Sequence, residues 1–129
     1  MKIVRIALGA LVLLVLSVVV IGYMLPVSHT ASRERVLPAA PSVVFAAITT
    51  PNDFPSWRSN VNRVELLPDV AGKRSYREHD GGDAITYVVE EQIADRRVVT
   101  RIADETLPFG GRWTFEITPD SSGTRLRLT

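Results

Sequence analysis

The 129-residue chain contains no cysteine, only two histidines, and no strong excess of either charge. Without thiols it has no disulfide scaffold, no thiol nucleophile, no zinc knuckle and no iron–sulfur site. Its formal net charge is +1, and because Lys2 and Arg5 precede a long uncharged run, 13 basic residues face 14 acidic ones beyond it. That balance argues against a nucleic-acid partner, which normally meets a strongly basic face. GxSxG, HExxH, GxGxxG and P-loop motifs are missing, so the residues imply no catalytic nucleophile, no metal and no cofactor. There is no internal repeat and no low-complexity tract.

What the chain does have is one long apolar run. Ile6 to Leu25 (IALGALVLLVLSVVVIGYML) carries no charge over 20 residues. At 1.5 Å per residue this spans about 30 Å, the thickness of a bilayer's hydrocarbon core. A soluble core helix would show a polar face somewhere in that length, and none is present. Tyr23 stands where an interfacial aromatic belongs, and Pro26 ends the helix. A cleaved signal peptide would carry a shorter apolar stretch and a small-x-small site. A cut after Ala31 would instead place His29 where the first small residue is wanted. The reading is therefore a retained transmembrane anchor over 1–25 and a short polar tether over 26–32. Lys2 and Arg5 on one side, against Arg33 and Arg35 on the other, favour a cytoplasmic N-terminus and an extracytoplasmic remainder.

From residue 33 onward the pattern changes to short alternating segments. RERVL, 33–37, reads as a first strand ending at Pro38. PSVVFAAIT, Pro41 to Thr49, reads as a helix, with a proline or serine start and Val44, Ala47 and Ile48 on one face. Pro51 stops it, and Pro51 to Trp57 reads as a turn or a very short second helix. Strands are predicted over Val61–Leu67, Arg74–Glu78, Ile85–Glu91, Arg97–Ile102, Arg112–Thr118 and Arg125–Leu128. They are separated by turn chemistry such as His79-Asp80-Gly81-Gly82-Asp83 and Pro119-Asp120-Ser121-Ser122-Gly123. The result is an antiparallel meander with one buried face, partly covered by the early helix, in an α+β arrangement.

Few residues outside the strands invite chemistry. His79, Asp80 and Asp83 sit in a Gly-rich hairpin, where a solvated turn competes with a metal cluster. Glu90-Glu91 and Asp104-Glu105 are neighbours, which on a strand point to opposite faces and cannot form an acid/base couple. Glu90 alternates with Thr86 and Val88, so its carboxylate either points inward with a raised pKa or lies on the surface. Arg101 and Arg112 suit an anionic head group or a cross-strand salt bridge equally.

The order of strand, Pro-flanked helix, short aromatic turn and long meander resembles the START-like or SRPBCC superfamily, often labelled polyketide cyclase/dehydrase-like. The likeness is carried by Pro38-Ala39-Ala40-Pro41-Ser42-Val43-Val44-Phe45, by Phe54-Pro55-Ser56-Trp57, by Gly110-Gly111-Arg112-Trp113-Thr114-Phe115-Glu116-Ile117 and by Ser122-Gly123-Thr124-Arg125-Leu126. It covers about Ala31 to Thr129. The resemblance implies a helix-grip fold, in which a curved sheet wraps a long C-terminal helix around a ligand cavity. The sequence stops at Thr129 where that helix would begin, so the expectation is a domain truncated before it. Trp113, Phe115, Leu126 and Leu128 would then leave an apolar patch bare.

An empty apolar void of about 300 Å³ would forfeit about 7 kcal/mol, so a cavity in such a fold is collapsed, wetted or filled. Its candidate lining residues are Trp57, Tyr76, Tyr87, Phe109, Trp113 and Phe115, each of which also suits an ordinary core. Trp57 and Phe109 lie beside loops, where pocket mouths tend to be. The leading functional reading is a membrane-anchored binder of a hydrophobic small molecule or lipid. A cyclase or dehydratase using Glu90, Tyr87 and His79 is the alternative, and a structural protein-interaction domain is a second one. The anchor reading has a direct check: the expressed chain is expected in the carbonate-resistant membrane fraction with the intact mass of a polypeptide starting at Met1. A shorter chain in the aqueous fraction contradicts it.

Overall fold

The computed structural model of the chain describes residues 1–26 and 28–129; Val27, inside the expected tether, lies outside the described residues. The chain forms two compact units, Met1–Thr30 and Ala31–Thr129. The first is a single helix, α1 (Lys2–Met24), with no buried residue. Its one mid-helix hydroxyl, Ser17 Oγ, donates to the Leu13 carbonyl at 2.8 Å, so it demands no partner outside the helix. Leu25 turns to extended backbone, as a residue before proline prefers. In length and composition α1 can cross a membrane, properties that a signal sequence near an N-terminus shares.

The second unit is one seven-stranded antiparallel sheet in the order β1-β7-β6-β5-β4-β3-β2. Its strands are β1 (Arg33–Leu37), β2 (Arg63–Val70), β3 (Lys73–His79), β4 (Ala84–Ile93), β5 (Arg97–Ile102), β6 (Arg112–Asp120) and β7 (Gly123–Leu128). The first strand therefore pairs with the last, Arg35 lying opposite Leu126. Between β1 and β2 run α2 (Pro41–Thr49), a 3-10 turn (Pro51–Asp53) and α3 (Phe54–Trp57). Pro41 opens α2 at its first turn, where its missing N–H costs nothing. The Thr49 and Thr50 hydroxyls donate to the Phe45 and Ala46 carbonyls at 2.8 Å, closing the last turn before Pro51. The helix packs on β5, β6 and β7.

Register divides the sheet into two faces. The pairs Tyr76–Tyr87, Thr100–Trp113, Phe115–Leu128 and Ile117–Leu126 share the inner face, on which Phe54, Val61 and Tyr76 form a buried cluster. Charged residues take the outer face, where Arg97 pairs with Glu91 and Glu116, and Arg125 with Glu34 and Asp120. β4 breaks strict alternation with a bulge between Val89 and Glu91. The inserted residue, Glu90, accepts from Arg101 Nε at 2.7 Å and Arg112 Nε at 2.6 Å. The inward, high-pKa alternative for Glu90 is thereby overturned: hydrogen bonds from Arg112 and then Arg101 hold its carboxyl below the ordinary carboxylate value. The same contacts decide the role of Arg101 and Arg112, which are salt-bridge partners rather than free cations.

Gly123 is the tightest point in the unit. It sits at φ +143°, and a Cβ there would collide with the Leu37 carbonyl oxygen where β1 crosses the β6–β7 hairpin. Next to it, fully buried Thr124 donates from Oγ1 to the Ala39 carbonyl at 2.6 Å. Gly123→Ala is expected to destabilise the unit by about 2 kcal/mol or more, lowering the thermal midpoint by about 10 °C. An unchanged midpoint would show that β1 does not dock there. Glu90 gives a pH signature. Its depressed pKa means that its contribution is complete above the ordinary carboxylate pKa and is lost as pH falls toward the folded-state value. Glu90→Gln is expected to make the loss of thermal stability between about pH 5 and pH 3 shallower. Asp104 and Asp120, also held low by hydrogen bonds, act in the same direction.

Candidate functional site

The turn after α2 builds one wall of a cavity on the inner face. Ser56 Oγ donates to the Asp53 carbonyl at 2.7 Å, and the Arg58 amide to the Phe54 carbonyl at 2.8 Å, so Phe54 to Arg58 coil into a single helical turn. That turn sends Phe54 into the core and leaves Trp57 about half exposed, their rings edge to face at 5.7 Å. It also lays the Arg58 guanidinium over the Phe54 ring, 5.1 Å from its centroid. The opposite wall comes from strand parity. Tyr76 and Tyr87 are register partners on β3 and β4, with rings stacked 5.6 Å apart, and Phe54 meets Tyr76 edge-on at 5.9 Å.

The cavity so enclosed measures about 300 Å³, at the small end of ligand pockets. Five of the six aromatics picked out in the sequence line it: Trp57, Tyr76, Tyr87, Trp113 and Phe115. Phe109 does not; it is exposed in the connection between β5 and β6. Phe54, Ile48 and Leu128 complete the apolar wall and Thr100 adds a hydroxyl, together with two charged residues that the sequence reading passed over, Arg58 and Glu78. Arg58 donates to both carboxylate oxygens of Glu78, Nη1 to Oε1 at 2.8 Å and Nη2 to Oε2 at 3.0 Å. A sequence signal for this pair did exist. Glu78 has the same strand parity as Tyr76, and a carboxylate on a buried face requires a cation.

Burial, and then the nearby Glu78 carboxylate, push the Tyr76 and Tyr87 phenols above the usual phenol value, so both stay protonated at neutral pH. The other sequence candidates lie elsewhere. His79 is on the outer face, its Nε2 3.1 Å from Arg63 Nη2 and 3.6 Å from Glu65. Asp80 and Asp83 close the hairpin on each other through the Asp83 amide and Asp80 Oδ1, at 3.1 Å. No group of three or more potential metal ligands is gathered among the described residues. A larger, shallower depression of about 930 Å³ runs past Glu34, Arg97, Glu116 and Arg125, charges that already partner one another.

Known proteins share this architecture. A protein from Rhizobium loti is 29% identical, with 78% of this chain and 75% of that one covered at a TM-score of 0.58. A protein from Mesorhizobium loti is 21% identical, with 78% and 74% covered at 0.61. A fragment of the STAR-related lipid transfer protein from Xanthomonas axonopodis is 20% identical, with 76% and 66% covered at 0.54. No curated protein matches the chain. The family described as "Polyketide cyclase / dehydrase and lipid transport" matches residues 28–129. With its antiparallel sheet, its early helix and an aromatic cavity between them, the chain belongs to that family.

Proposed function

We propose that the chain is a membrane-anchored domain that binds a hydrophobic small molecule or lipid in the cavity between α3 and the inner face of the sheet. The observation that carries this reading is the cavity itself. Its wall is aromatic and aliphatic apart from Thr100 and one self-neutralised ion pair. Filling it with an apolar guest recovers the contacts that an empty void of this size gives up. The family's description and the printed name of the Xanthomonas axonopodis protein, a lipid transfer protein, support the same ligand class. In this reading α1 is retained in the bilayer, the N-terminus is cytoplasmic and the domain extracytoplasmic. The short tether over 26–32 then keeps the domain on the same chain as a helix lying in the phase from which an oily guest partitions.

The cyclase or dehydratase alternative loses two of its three residues. His79 and Glu90 both engage arginines on the outer face, and only Tyr87 remains at the cavity. Both tryptophans of the chain, Trp57 and Trp113, line the cavity, so intrinsic fluorescence reports directly on occupancy. The full chain in nanodiscs is expected to show a blue-shifted, saturable emission change on adding an apolar guest such as octane. Native mass spectrometry of the detergent-purified chain is expected to reveal co-purified lipid. Trp113→Ala is expected to weaken octane binding by about tenfold. A chain that carries no lipid and whose emission ignores every apolar probe refutes the reading.

A further inference from the structure

We infer that the cavity selects guests with an uncharged, hydrogen-bonding head, such as an alcohol or amide, over fatty-acid-type carboxylates, through the Arg58–Glu78 pair at its wall. The inference rests on the reading of the cavity as a hydrophobic-ligand site and names the head group that such a ligand carries.

Among the described residues, Arg58 and Glu78 are the only charged side chains lining the cavity. Alone, an arginine in an apolar pocket would be a ready receptor for a carboxylate, since its planar fork matches two oxygens. Here that fork is already occupied at 2.8 Å and 3.0 Å by Glu78. An entering carboxylate must displace Glu78, leaving that group unpaired on the inner face with its side chain only 10% exposed, or share the guanidinium with it, so that two carboxylates divide one positive charge. Both outcomes carry the heavy penalty of an uncompensated charge in an apolar site. Three further features deepen the bias. Asp80 and Asp83 line a small adjoining cavity of about 70 Å³ that shares Arg58, Glu78 and Tyr87 with the first, adding negative charge behind the pair. Tyr76 and Tyr87 line the same cavity as neutral phenols, each both a donor and an acceptor that a hydroxyl or amide head can match. The hydrogens that Arg58 does not spend on Glu78, with the remaining lone pairs of Glu78, place donors beside acceptors at zero net charge. A hydroxyl or amide can use both at once. A carboxylate, having no hydrogen to give, cannot.

The test uses the full chain in phosphatidylcholine nanodiscs and four eight-carbon probes: octane, 1-octanol, octanamide and octanoate. Affinities are read from tryptophan emission at pH 7.5 and corrected for each probe's partition into protein-free discs. Octanol and octanamide are expected to bind about tenfold or more tighter than octanoate. In Glu78→Gln the arginine is released, and the octanoate-to-octanol affinity ratio is expected to rise by about tenfold or more. Should Glu78→Gln lose its cooperative thermal transition, the double variant Arg58→Met with Glu78→Met, which removes both charges together, provides the second arm. In it octanol and octanamide are expected to lose their advantage over octane, read as affinity ratios within the same variant. Octanoate binding as tightly as octanol in the wild-type chain overturns the head-group inference while leaving the cavity reading intact. An unmoved ratio in Glu78→Gln, or an undiminished octanol advantage in the double variant, overturns the role given to the pair. Failure of all four probes, octane included, overturns the cavity reading and the inference with it.

Discussion

A carboxylate on the apolar face of a sheet is a problem that the rest of the domain has to solve. Glu78 shares its face with Tyr76, and its side chain is only 10% exposed. Such a group stays charged only beside a cation held in good geometry. Arg58 is that cation, and it comes from the turn that follows α2 rather than from a neighbouring strand. The pair therefore fixes where α3 lies on the sheet. Once the guanidinium is clamped, Phe54 beneath it is pinned against Tyr76, and Trp57 is left at the margin as a half-exposed wall. For fully buried pairs, loss of one partner costs about 3–5 kcal/mol. The cost here is smaller, because the Arg58 side chain is 28% exposed.

The two faces of the sheet handle charge in different ways. Outside, arginines and carboxylates alternate across strands in shared pairs: Glu90 serves two arginines and Arg125 two carboxylates. Exposed pairs of this kind contribute little individually. Their physical effect is to keep that face solvated and to disfavour a register slip, which would drive a whole set of charges into the core. Inside, a single pair stands among aromatics in a space of about 300 Å³. Partly removed from water, it directs hydrogen bonds more strongly than a fully exposed pair.

Much of this was legible because local chemistry forced it. Pro41 and Pro51 bracket α2, and the Asp-rich turns at 80–83 and 120–123 mark the hairpins where they form. Tyr76, Tyr87, Trp113 and Phe115 were legible as candidate lining aromatics, and the cavity gathers them. The parts that escaped depend on interactions that strand parity does not encode. The pairing of β1 with β7 joins the two ends of the domain, and the Arg58–Glu78 contact spans 20 residues between a turn and a strand. Strand ends shifted for a related reason: β2 starts at Arg63 rather than Val61, whose side chain is instead buried in the core cluster. Phe109 carried the same aromatic signal as its five companions, but its loop does not reach the cavity.

The β4 bulge ties these observations to the shape of the site. Without the inserted residue, alternation from Val89 would point Glu91 and Ile93 inward, opposite α2. With it, both glutamates face out to the arginines, and Gln92 turns in as the register partner of Val98. Gln92 Oε1 then accepts from Arg74 Nη2 at 2.5 Å, while Arg74 Nη1 reaches the Thr49 carbonyl at 3.4 Å, linking the end of α2 to β3 and β4. These residues enclose a space of only about 10 Å³ with Ile48, Tyr76 and Thr100, which also line the main cavity. The Arg74–Gln92 contact, itself exposed to solvent, thus flanks the cavity where Ile48, Tyr76 and Thr100 form a shared wall. The Arg58–Glu78 pair lines the main cavity and not this small space. One extra residue in one strand accordingly turns Glu91 out to Arg97 and brings Gln92 to Arg74, where strict alternation would have set a carboxylate on the apolar face.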